Sequence, residues 1–180
     1  MSNIMPMSTT VRHNKITRTL SNSVMELEKT QKALALQEEC ALVHWGDKRK
    51  NDLIKLVDIS EIENIDKFKK TTINRLDYVM PDFVLFRNNP YLHNEYDTRT
   101  AGCPDLIIEV WSDGNDKDER ESKLNLYATG AATEHWYIEQ DSNEVVCYLG
   151  GKKIGNQNLA DMLVTLNGVE FDLRHLGLGG

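Results

Sequence analysis

The stretch CPDLIIEVW, residues 103–111, constrains what this chain can fold into more than any other. Its run of large apolar side chains suits a strand inside a sheet, covered on both faces. Within that run Glu109 stands between Ile108 and Val110, where a carboxylate buried without a partner would be costly. A second strand, YVMPDFVLF at 78–86, precedes it across the polar loop NNPYLHNEYDTRTAG. If the two are antiparallel neighbours and Asp82 faces Glu109, the same register pairs Val84 with Ile107 and Phe86 with Asp105. Directly opposed residues have Cβ atoms about 4.5–5.5 Å apart. Two carboxylates that close repel unless something positive lies between them, and a hard cation such as Mg²⁺ or Mn²⁺ is the usual solution. A lysine nearby would complete a site for phosphoryl chemistry. Asp105 shares the face of Glu109 by parity, but four residues of strand rise about 13 Å. Its expected part is therefore supporting.

Around this pair the periodicities predict an α/β fold with a mixed central sheet flanked by helices. Ile16, Leu20, Val24, Leu27 and Leu34 recur at helical steps, predicting one helix from about Thr10 to Glu39, with Thr10 among its candidate caps. CALVHW (40–45) reads as a short strand, and residues 47–77 as a variable polar insertion in a single domain spanning 1–180. A helix is expected at about 118–128, strands at HWYIEQ (135–140) and EVVCYL (144–149), and a helix or turn at 160–166 before FDL (171–173).

Several of these pieces together carry a resemblance. PDF at 81–83, PDLIIEVWS at 104–112, the lysine and tyrosine of KLNLY at 123–127, and TEHWYI at 133–138 resemble the Uma family. That is a bacterial family of proposed restriction endonucleases in the PD-(D/E)xK nuclease superfamily. The opening MSTTVRHNKITRTLS, which contains His13, and the closing LNGVEFDL are similar to the family's ends. The resemblance implies a restriction-endonuclease-like core in which Asp82 and Glu109 hold Mg²⁺ (or Mn²⁺). It also implies DNA as the expected substrate and a homodimer as the expected assembly. The general superfamily pattern places a lysine two positions after the acid, where this chain has Trp111. The family's variant carries that lysine on the following helix, here Lys123. Helical spacing puts Lys123 and Tyr127 on one face.

Composition narrows the class. No apolar run approaches the roughly 18 residues of a membrane span, and the start lacks a secretory pattern, so a cytoplasmic protein is expected. Cys40, Cys103 and Cys147 form no CxxC pair, which predicts buried thiols rather than a disulfide or zinc framework. The net charge of −7 weighs against an avid, non-specific DNA coat. Arg12, Lys15 and Arg18, in an opening stretch free of acids before Glu26, are the candidate phosphate contacts. Glu26 or Glu28 is a further candidate acid for the metal, and His13 reads as a surface or packing histidine. The alternative function is a nuclease-fold module that binds nucleic acid or protein without cutting, which Trp111 and the negative charge favour.

Overall fold

The computed structural model describes residues 10–30, 32–37, 41–43, 78–89, 91–93, 99–112, 114–128 and 133–178. The insertion at 47–77 and Cys40 lie outside them. A six-stranded sheet dominates, built from β1 (Leu34–Gln37), β4 (Phe83–Phe86), β7 (Leu106–Trp111), β8 (Glu134–Glu139), β9 (Glu144–Leu149) and β10 (Lys152–Asn158), in the order β1-β4-β7-β8-β9-β10. Only β7 and β8 run parallel in it, and the helix α2 (Lys117–Leu126) makes the crossover between them. A smaller sheet joins β2 (Ala41–Val43), β3 (Tyr78–Val79), β5 (Tyr91–His93) and β6 (Arg99–Gly102) in the order β3-β2-β6-β5. A hairpin of β11 (Leu163–Leu166) and β12 (Val169–Asp172) completes the strands. The architecture is the expected α/β arrangement, a mixed sheet flanked by helices.

The sheet separates two apolar clusters, and strand parity decides which residue enters which. Leu106, Ile108 and Val110 face α1 (Val11–Lys29), meeting its buried stripe Ile16, Leu20 and Val24. Ile107 and Trp111 face the other way, toward Tyr127 and Leu124. Glu109 lies on this second face, between two apolar neighbours.

Four expectations need correction. The first helix ends at Lys29 and not near Glu39. Beyond it LALQ alternates, with Ala35 packed in one cluster and Leu34 and Leu36 in the other, which is strand behaviour. YVMPDFVLF is two strands in different sheets, because the chain breaks its pairing at Pro81, which has no N–H to give to a ladder. The loop after Phe86 contains β5 and β6, and the segment expected as helix or turn at 160–166 holds a short 3-10 turn and then β11. Asn167 (φ 51°) and Gly168 (φ 80°) form the two-residue turn between β11 and β12, a pair suited to positive φ at both positions. Cys103 and Cys147 are buried thiols, as expected. Among the described residues no helix is long and apolar enough to cross a membrane.

Candidate active site

The register of β4 against β7 positions the two acids. Phe83 pairs with Ile108, Val84 with Ile107 and Leu85 with Leu106, the alignment expected from the sequence. One step further sets Asp82 opposite Glu109. The Val110 N–H donates to Asp82 Oδ2 at 2.7 Å, fixing that carboxylate to the neighbouring strand. Asp82 Oδ1 lies 3.1 Å from His13 Nε2, so α1 holds its other oxygen.

Glu109 is only 1% exposed, and both of its oxygens meet donors from α2 and its C-cap residue. Lys123 Nζ lies 3.0 Å from Oε2, and the Tyr127 hydroxyl donates to Oε1 at 2.5 Å. Helical periodicity explains the pairing, since residues four apart stack on one face. Burial, with a smaller push from the charge of Asp82, raises the Glu109 carboxyl to about 7 despite the opposing help from Lys123 and Tyr127. For Lys123 burial pulls downward, but Glu109, Asp82 and Glu119 together outweigh it and hold the ammonium above its usual value. Burial likewise raises the Tyr127 phenol, with Glu109 adding to it, so it acts as a donor. Asp82, Glu109, Lys123, His13 and Thr10 line one cleft of about 290 Å³, with Asn115, Glu119 and Gln140 at its wall.

This donor set fits a hard divalent ion. Mg²⁺ is commonly held by one or two carboxylates plus waters and substrate phosphates. Among the described residues no three His, Cys, Asp or Glu side chains gather round one point, so Asp82 and Glu109 would be its protein ligands and the remaining positions would fall to water or substrate. The raised Glu109 carboxyl reflects its burial first and the neighbouring Asp82 charge second, against the pull of Lys123 and Tyr127, and a cation held between the two acids would favour their ionised forms. More positive charge is welcome there.

The other candidates fall elsewhere. Asp105 does not join the cleft: Oδ2 accepts from the backbone N–H groups of Arg87 (2.7 Å), Asn88 (3.0 Å) and Asn89 (3.1 Å), and Oδ1 from Asn167 Nδ2 at 3.0 Å. It organises the loop after β4. Trp111, at the superfamily's lysine position, packs 4.2 Å from the Tyr137 ring, with the Arg120 guanidinium 4.6 Å above its own ring. Arg12 gives its guanidinium to the carbonyls of Gln140 and Leu176, so it anchors α1 instead of presenting a phosphate contact. Lys15 and Arg18 are exposed. Glu26 pairs with Lys29 at 2.7 Å and Glu28 accepts from the Ala35 N–H at 2.8 Å, so neither guessed acid lines the cleft. Sequence reasoning passed over the parts played by Tyr127 and His13. The spacing of Lys123 and Tyr127 could have found the first; no local pattern signals the second.

Comparison with known proteins follows this geometry. The sequence pattern of a family described as "Uma2: Putative restriction endonuclease" matches residues 64–174. A solved structure described as "a putative nuclease belonging to DUF820", from Anabaena variabilis ATCC 29413, is similar with a TM-score of 0.61 at 16% sequence identity, covering 98% of this chain and 86% of that one. That likeness is one of fold. No curated protein matches the chain.

Proposed function

The chain belongs to the Uma2 family of putative restriction endonucleases, and from that premise we propose that it is a metal-dependent endonuclease hydrolysing phosphodiester bonds in DNA. The observation that carries this reading is the convergence of Asp82, Glu109 and Lys123 on one cleft. Asp82 and Glu109 would hold Mg²⁺ or Mn²⁺, which when bound supplies Lewis-acid stabilisation and a water of lowered pKa.

The chain's own groups do the rest. Lys123 sits 19% exposed between Glu109 and Glu119, at 3.0 and 3.5 Å, so its ammonium stays in the cleft yet remains accessible to a phosphate oxygen. A cation fixed where negative charge builds on phosphorus oxygens stabilises the transition state without reorganising. Tyr127 holds Glu109 in one rotamer, and the Val110 N–H does the same for Asp82. One such site cuts one strand, so double-strand cleavage calls for two copies, and a homodimer is part of the proposal.

Supercoiled plasmid tests the reading. With Mn²⁺ the wild-type protein should nick it, Asp82→Ala and Glu109→Ala should abolish nicking, and Lys123→Ala should slow it by about 10²-fold or more. Wild-type protein that binds Mn²⁺ and DNA but never nicks would favour the second reading, a non-cutting module, for which Trp111 at the superfamily's lysine position speaks.

A further inference from the structure

The residues matched to the family pattern begin at 64, so α1 lies wholly outside them. Yet α1 reaches into the cleft. Its first turn is tied down at several points. Thr10 caps it by accepting from the His13 N–H at 3.1 Å, and the same hydroxyl donates to Gln140 Oε1 at 2.6 Å. The Arg12 guanidinium binds the Gln140 carbonyl and, at 2.7 Å, that of Leu176. Ile16, Leu20 and Val24, all fully buried, press the rest of the helix onto the sheet. These contacts leave His13 little freedom. Its side chain is 9% exposed and directs Nε2 at Asp82 Oδ1.

From this geometry we infer that His13 is a positioning residue of the metal site, acting through Asp82, and that α1 is therefore a working part of that site. A carboxylate has about four lone-pair positions. The Val110 N–H takes one on Oδ2 and His13 takes one on Oδ1, so the carboxylate cannot rotate without losing a bond and keeps its other positions toward the cleft. Glu109 is held in the same manner by Lys123 and Tyr127. Each acid thus has two holders, and for Asp82 one comes from a helix outside the family match. Partners that orient metal ligands in this way are typically worth 10- to 100-fold in affinity or activity. The inference rests on the reading of Asp82 and Glu109 as metal ligands.

Calorimetric titration of Mn²⁺ into the full chain, with plasmid nicking followed in the same preparations, tests it. His13→Ala should bind Mn²⁺ about 10- to 100-fold more weakly than wild type while melting as one cooperative unit. His13→Gln, whose amide N–H can still donate toward Asp82, should recover most of the lost affinity. That rescue is the readout a merely space-filling histidine would not produce. Equal Mn²⁺ affinity in wild type and His13→Ala overturns the inference alone, whether or not the wild type nicks. Equal weakness of both variants, each folded, overturns it too. Wild-type protein that takes up no Mn²⁺ overturns the inference together with the reading it rests on. Metal binding without nicking sinks only the nuclease, and the affinity series still decides on His13.

Discussion

His135 is a single buried group expected to make the fold sensitive to acid. Its ring is fully buried, stacked 4.8 Å from Tyr148 at an interplanar angle of 10°, and neither nitrogen has a hydrogen-bond partner among the described residues. Burial depresses its pKa from 6.5 to about 4. Between those values the unfolded chain binds the proton and the folded one does not, so stability is full above about 6.5 and falls as pH drops toward 4. The loss should be on the order of 2–3 kcal/mol. Denaturant unfolding at a series of pH values should show that slope in the wild type and a flatter one in His135→Phe. The phenylalanine variant should also gain about 1 kcal/mol at pH 7, because it removes two unpaired buried nitrogens. An unchanged slope would move the acid sensitivity to other groups.

At the scale of elements, Asp105 separates scaffold from site. Its carboxylate gathers three backbone N–H groups of residues 87–89 and the Asn167 amide, so it ties the β4 exit to the β11–β12 turn. Asp105→Ala should therefore cost about 1–2 kcal/mol by removing the four hydrogen bonds that converge on this buried carboxylate, with Mn²⁺ affinity within a factor of two of wild type in the protein that remains folded. A large loss of metal affinity would return Asp105 to the site. The Asp82–Glu109 register was legible because the apolar runs of the two strands end together at a loop and parity leaves few alternatives. The edge strand β10 was not. KKIGNQN is polar on both faces and mostly exposed, so no alternation marks it, and only the glycine pair 150–151 at its start, with φ of 54° and 77°, signals a hairpin. Likewise the Asn167-Gly168 pair signals the β11–β12 hairpin, in a stretch where the sequence pattern predicts a helix or turn at 160–166. The His13 contact depends on how α1 lies across the sheet, which no local pattern encodes.

For the whole molecule, charge and assembly would set how the proposed DNA substrate is met. A net charge of −7 gives no general attraction to a polyanion. On the proposed function, engagement would then depend on a cation held at the cleft and on local bases such as Lys15 and Arg18, both exposed on α1. Duplex binding should accordingly be weak without divalent metal and should fall steeply with added salt when metal is present, which fluorescence anisotropy reads directly. Light scattering on the metal-loaded complex should give two chains of 20.6 kDa per duplex. One chain per duplex would leave single-strand nicking as the product.

The most direct measurement is an anomalous difference map from crystals of the protein soaked in Mn²⁺. A peak within coordination distance of both Asp82 and Glu109, about 2.0–2.3 Å from a carboxylate oxygen of each, absent in Asp82→Ala crystals, is the predicted result. Mn²⁺ sites elsewhere only, with those two carboxylates still bonded to His13, Val110, Lys123 and Tyr127 alone, would contradict the account.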